Sequence, residues 1–156
     1  MNVADAQTLA DWVKKGGVLF LLANDEVNAD LIHFNILAKK FGFEFNNDLI
    51  LHVTNDKHFA DGALNTGKSA VFPTSKKIFI KDASSIKITT KARSVLKTPK
   101  GENVVVVSKY GKGTVLAVGD PWLYNEYTNG RLPVDFQNDL AANDIANFLI
   151  SKSRKK

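Results

Sequence analysis

Three stretches of this chain are apolar without interruption: Val18 to Leu22, Val104 to Val107 and Val115 to Val118. Runs of that length suit strands covered on both faces of a sheet. The last two are linked through Lys109-Tyr110-Gly111-Lys112-Gly113. Gly111 and Gly113 flanking Lys112 predict a tight hairpin turn there, because a residue without a Cβ accepts positive φ at little cost. Val18 to Leu22 follows Gly16-Gly17, a helix-stop signal, and reads as a central parallel strand. The Val115 to Val118 run stops at Gly119-Asp120-Pro121, and a polar, aromatic cluster follows. In open α/β sheets ligands gather just beyond the carboxyl ends of strands, so this cluster is the first candidate for function.

Helical periodicity accounts for much of the rest. From Val3 to Lys15, residues Val3, Ala6, Leu9 or Ala10, and Val13 share one face, with Trp12 beside it. A second helix is predicted over 28–41, with Leu31, Phe34, Ala38 and Phe41 as its core stripe, acids at its start and Gly42 as its cap. A closing helix is predicted over 136–150, capped by Asp135, with Ala141, Ile145, Phe148 and Leu149 toward the sheet. Between these, Phe43 to Val53 holds one or two short strands, and Thr54 to Ser75 reads as a long polar loop. Lys77 to Lys81 and Ile86 to Thr90 read as strands around the turn Asp82 to Ser85, and Val95 to Lys97 as another. The order gives a mixed α/β layer fold: a mixed sheet with a C-terminal β-hairpin and a closing helix. One domain fills residues 1–150, and 151–156 form a disordered basic tail. A chain that opens on a helix feeding a buried strand is expected to lack its first strands. The sheet edge left unpaired is then a candidate dimer contact.

Charge narrows the partners. The net charge is +5, and Lys152, Arg154, Lys155 and Lys156 contribute +4 of it, leaving +1. No body-wide basic field exists of the kind nucleic-acid binding needs. No stretch approaches the apolar length needed to span a bilayer, so no membrane partner is expected. The absence of Cys excludes disulfides, thiolate metal sites and a Cys nucleophile.

Candidate chemistry is sparse. Gly62-Ala63-Leu64-Asn65-Thr66-Gly67-Lys68-Ser69 matches the phosphate-loop letters, but that motif works between a strand and a helix N-terminus. Here Asp56 to Asp61 is polar and Pro73 follows closely, so a polar loop is the better account and no cofactor is expected. His33, His52 and His58 have no tight ligand spacing, and no metal is expected. Asp25 and Asp120 each follow an apolar strand, and parallel strands would bring both to one rim of the sheet, joined by Glu26 and Glu126. Paired carboxylates serve glycoside hydrolysis. Asp25 is equally a helix-start acid, and Asp120 a turn residue. Trp122, Tyr124 and Tyr127, interleaved with Asn125 and Glu126, suit either sugar rings or a domain interface. Asn28 and Asn35, seven apart, share a face of the predicted second helix and complete a candidate rim with Asn24 and His33.

Trp12 to Leu19, with its Gly16-Gly17 turn, and Tyr110 to Val115 followed by Val118-Gly119-Asp120, resemble class I glutamine-amidotransferase-like domains. Three segments are similar, more narrowly, to the module attached to secreted bacterial unsaturated rhamnogalacturonyl (glycuronyl) hydrolases. They are Asn24-Asp25 with His33-Phe34-Asn35, Phe41 to Asn46, and Gly119 to Tyr127. The resemblance implies a three-layer amidotransferase-like (flavodoxin-like) α/β fold with strands before residue 10. It implies a periplasmic or extracellular parent protein acting on a plant-type glycan, with a catalytic or β-rich partner domain. True amidotransferases place a Cys at the elbow where this chain has Ala23-Asn24-Asp25-Glu26, so amidotransfer is excluded. Three functions are carried forward. The first is a non-catalytic accessory domain of a polysaccharide-degrading protein. The second is a carbohydrate-binding module using the Asn24–Asn35 and Asp120–Tyr127 rim. The third is a small glycan hydrolase using Asp25 and Asp120.

Overall fold

The computed structural model describes residues 1–55, 57–121 and 125–153. Helix α1 (Val3–Lys14) is opened by Asn2, whose side-chain oxygen accepts the Asp5 N–H at 2.8 Å. Ala6, Ala10 and Val13 are buried as the periodicity predicts, but Val3 is exposed. Strand β1 (Val18–Leu22) pairs in parallel with β8 (Gly113–Val118), Val18 opposite Thr114 and Leu22 opposite Val118. A hairpin joins β8 to β7 (Asn103–Tyr110). Gly111 takes φ +57° while Lys112 keeps an ordinary φ, the pattern of a type II′ turn. Gly113 serves a different need: a Cβ there would stand 2.0 Å from the Val13 carbonyl oxygen and 2.4 Å from that of Gly17.

The main sheet runs β1-β8-β7-β5-β2, with β6 (Arg93–Lys97) also on β7. Here β2 is Phe43–Phe45 and β5 is Ile86–Ile88. Every pairing except β1–β8 is antiparallel, so the sheet is mixed. The pleat sorts its core, since successive side chains alternate faces. Val115 and Ala117 of β8 join Ala6, Ala10, Leu37 and Phe41 under α1 and α2 (Leu31–Ala38). Leu116 and Val118 join Ala141, Ile145 and Phe148 under α3 (Asn138–Ser153). Among the described residues no helix is long and apolar enough to cross a membrane.

Several boundaries differ from the pattern, each for a physical reason. β1 stands at the edge of the sheet, not at its centre, although helices cover both its faces. The second helix starts at Leu31 because Asp30 caps it, accepting the His33 N–H at 3.2 Å. It ends through a tighter turn over Lys39–Phe41, and Gly42 closes it at φ +85°. The expected polar loop contains β3 (Ala63–Asn65), which pairs with β4 (Lys77–Phe79) in a separate two-stranded sheet. Lys77–Phe79 and Ile86–Ile88 therefore belong to different sheets. Asp135 pairs with Lys77 instead of capping α3, which begins three residues later. α3 runs on through Ser151–Ser153, residues expected in the tail, with the Lys152 ammonium 4.7 Å from the Phe148 ring centre.

Two buried polar residues dock α3. Asn138 accepts the Phe79 N–H at 2.8 Å and donates to its carbonyl at 2.9 Å, so its amide extends the ladder of β4. Asp144 accepts the backbone N–H groups of Thr74 and Ser75 at 3.1 and 2.9 Å and their hydroxyls at 2.7 and 3.0 Å. Burial pushes the Asp144 pKa up, but these bonds from Ser75 and Thr74 outweigh it and hold the carboxyl below its ordinary value. Asp144→Ala leaves these donors unsatisfied and is expected to cost roughly 2–4 kcal/mol in denaturant unfolding. A depressed folded-state pKa stabilises above the unfolded-state pKa and is lost as pH falls through the folded value. The gap between wild type and Asp144→Ala should therefore narrow below about pH 4.

Candidate functional site

Parallel pairing of β1 with β8 delivers the two post-strand turns to the same end of the sheet. At the first turn Asp25 is buried. Its Oδ1 accepts the Val27 N–H at 2.8 Å and its Oδ2 accepts the Asn28 side-chain amide at 2.7 Å. Its carbonyl takes the N–H groups of Asn28 and Ala29 at 3.2 and 3.1 Å. Asn24 Oδ1 accepts the Asp25 N–H at 2.9 Å, and the Ser84 hydroxyl donates to the Asn24 carbonyl. Asp25 is thus the organiser of its own turn, a role short acidic side chains fill well.

The second turn is tied inward as well. Gly119 accepts the Ser84 N–H at 2.9 Å and donates to the Val104 carbonyl at 3.0 Å. A Cβ at Gly119 would lie 1.9 Å from the Ser84 oxygen, so only glycine allows this contact. Asp120 is fully buried and accepts the Lys81 N–H at 3.2 Å. Trp122 and Tyr124 lie outside the described residues. Asn125 is exposed and its carbonyl accepts the Thr128 N–H and hydroxyl at 3.3 and 2.9 Å, fixing a turn over Glu126–Thr128. Tyr127 is a core residue instead of a rim residue, 3% exposed, with its ring 4.8 Å from that of Phe79.

At this end the described residues form a cavity of about 470 Å³ lined by Leu22, Ala23, Asn24, Asn28, His33, Phe34 and Pro121, among others. Three predicted rim residues, Asn24, Asn28 and His33, meet there. The His33 Nδ1 lies 2.5 Å from Asp30, a residue the sequence pattern did not single out. The His33 backbone N–H, and then its side chain, hold the Asp30 carboxyl below its ordinary pKa. Asn35 does not join the cavity. It donates to the Phe45 carbonyl and accepts the Phe45 N–H, both at 2.8 Å, on β2. Asn28 precedes the helix, so the shared helical face expected for it and Asn35 does not exist.

The other motifs resolve into local structure. Gly62 ends a turn over Phe59–Gly62 and β3 lies inside the phosphate-loop letters, while Ser69 Oγ accepts the Phe72 N–H at 3.0 Å. His52 meets Asp82 at 2.8 Å and His58 meets Asn55 at 3.1 Å. Among the described residues no three His, Asp or Glu side chains gather as a metal ion would need.

With this geometry in view, the fold can be placed among known structures. No protein-family model matches the chain, and no curated protein sequence matches it. Solved structures do. The mmIFT52 N-terminal domain superposes with a TM-score of 0.75 at 13% identity, over 96% of this chain and 72% of that one. An exo-β-1,4-mannosidase from an Opitutaceae bacterium gives 0.53 at 16% identity, over 98% of this chain and 22% of that one. A cold-adapted β-galactosidase from Rahnella gives 0.58 at 15% identity, over 97% and 21%. The chain therefore corresponds to about a fifth of the length of these glycoside hydrolases. At such identities the likeness establishes a shared fold, one that recurs as a part of glycan-degrading enzymes.

Asn35 and His33 make opposite predictions. Asn35→Ala strips both partners from the Phe45 backbone at the far sheet edge and is expected to cost about 2 kcal/mol in chemical denaturation. His33→Ala, at an exposed position of the cavity mouth, should stay within about 0.5 kcal/mol of wild type in the same measurement.

Proposed function

We propose that this chain is a non-catalytic accessory domain of a polysaccharide-degrading protein, contacting its neighbour through the end of the sheet where β1 and β8 emerge. The supporting observation is the state of the two carboxylates. Asp25 has both oxygens occupied by its own turn, and Asp120 is sealed and bonded to the Lys81 backbone. A glycosidase needs one carboxyl group protonated beside the scissile oxygen and a second open to the sugar or water. Recurrence of the fold inside a mannosidase and β-galactosidases fits an accessory role. The Cys-less turn over Ala23–Glu26 is in keeping with an amidotransferase-like scaffold that has no nucleophile. On this reading the parent acts outside the cytoplasm on a pectin-type polysaccharide such as rhamnogalacturonan.

A second reading, a carbohydrate-binding module, draws on the cavity itself. Amide and imidazole groups of Asn24, Asn28 and His33 stand beside the half-buried Phe34 ring there. Sugars offer hydroxyls to the first and C–H faces to the second. The two readings separate in one set of measurements. The accessory domain should release no product from a panel of aryl glycosides and oligosaccharides. Asp25→Asn and Asp120→Asn should lower the thermal midpoint without changing that blank. Turnover abolished by either substitution in a folded protein would overturn the proposal in favour of a hydrolase. Calorimetric heat with a neutral oligosaccharide, lost in Asn28→Ala plus His33→Ala, would favour the module.

A further inference from the structure

We propose that the sheet face beside the C-terminal half of α3 carries a binding groove for an anionic glycan, recognised through its carboxylate or sulfate groups. The groove, about 700 Å³, lies away from the β1–β8 end and brings together Lys91, Arg93, Lys109 and Lys152 over a floor that includes Val107 and Phe148. The topology explains the convergence. Arg93 pairs directly across from Val107, so the two side chains share a face. Lys109 lies two residues along β7 from Val107 and shares it too, about 7 Å away. Val107 packs against the core under α3, so that face is the one α3 covers. Lys152 follows Phe148 by one helical turn and reaches the groove from above.

Among the described residues no carboxylate lines this groove. Other lysines do have acid partners: Lys39 and Lys87 meet Glu44 at 3.2 and 3.0 Å, and Lys77 pairs with Asp135. Among the described residues none of the four groove cations has a carboxylate within ion-pairing distance. Lys109 donates to the Lys112 carbonyl at 2.8 Å, and Lys152 rests on the Phe148 ring. Four cations concentrated on a concave surface, with no carboxylate partner among the described residues, attract anions and focus the local field. Arg93 adds a planar fork matched to carboxylate or sulfate.

The spacing calls for a chain with repeated charges, not a single small ion, because Arg93 and Lys109 stand about 8–9 Å apart at their Cα atoms. Nucleic acid fits less well. Single strands bind on exposed aromatic platforms, whereas Phe148 is 8% exposed with Lys152 over it. A duplex needs a wider basic field than residues 1–153 supply, since Arg154, Lys155 and Lys156 carry +3 of the total +5 and leave +2. Choosing a glycan as the polyanion rests on the accessory-domain reading; the cationic groove does not.

The test titrates the full chain with a defined oligogalacturonate, its methyl-esterified counterpart, a single-stranded DNA oligomer and anionic phosphatidylserine vesicles. The oligogalacturonate should bind, weaken as salt rises, and lose at least about tenfold in affinity in Arg93→Ser plus Lys109→Ser. The neutral ester should not bind. Two equal charge changes serve as controls and should leave affinity within about twofold. One is Lys14→Ser plus Lys15→Ser at the end of α1, the other Arg154→Ser plus Lys155→Ser in the terminal segment. Thermal midpoints certify that every variant is folded. No oligogalacturonate binding, or equal loss in either control, overturns the groove. Tighter binding of DNA or vesicles than of oligogalacturonate overturns the glycan assignment. Hydrolysis of a glycan by the wild-type chain would instead overturn the accessory-domain reading while leaving the groove measurement standing.

Discussion

β8 is buried at every residue from Gly113 through Val118, and the burial continues through Gly119 and Asp120. A backbone so enclosed must find all its hydrogen-bond partners within the protein. β1 and β7 supply them along the strand, and glycines permit the approach at its two ends. Gly113 lets the end of α1 lie against the start of β8, and Gly119 lets Ser84 close on its finish. Any side chain at either position would force backbone apart from backbone. The packing of α1, the tie to the Lys81–Ser84 segment and the shared orientation of the two turns all follow from this enclosure.

The elements that could be read from the chain are those specified by local pattern. The apolar runs gave β1, β7 and β8, and periodicity gave α1 and the core face of α3, because burial on one face repeats at 3.6 residues and on two faces not at all. The error over β1 is instructive. An unbroken apolar run reports that both faces of a strand are covered, and helices cover both faces of β1. It carries no information about the edges, where the hydrogen bonds run, and β1 pairs with β8 alone among the described residues. Other misses share one cause. Asn35 meeting Phe45, Asn138 meeting Phe79 and Asp144 meeting Thr74 join residues 10, 59 and 70 positions apart. An amide whose oxygen and nitrogen imitate a strand's backbone looks, in sequence, like any polar residue on a helix. The polar segment before Ser75 likewise hid β3, whose three residues are too short to show a period.

The candidate site was legible to a similar depth. That Asp25 and Asp120 reach one end of the sheet followed from two apolar strands and the assumption that they run parallel. What those carboxylates do there did not follow, since the partners of Asp25 are two and three residues away while Lys81, which donates to Asp120, is 39 away. Tyr127 read as a rim aromatic because its neighbours are polar, yet its ring is needed against Phe79. His33 and Asn24 line the cavity, and Asp30 joins them through the helix start it caps.

These contrasts bear on where binding capacity resides. A polar group already satisfied by its own backbone has little free energy to gain from a ligand, because any new hydrogen bond replaces an existing one. The carboxylates at the end of the sheet are in that condition, whatever their resemblance to a catalytic pair. The groove beside α3 is in the opposite condition, with cations gathered by strand register and helix spacing and no acid lining it among the described residues. Gathering like charges costs stability. A fold that keeps Lys91, Arg93, Lys109 and Lys152 on one concave face bears that cost continuously, and a bound polyanion relieves it. The composition conceals this arrangement, since a net charge of only +2 over residues 1–153 averages over a face where no acid among the described residues pairs with the bases.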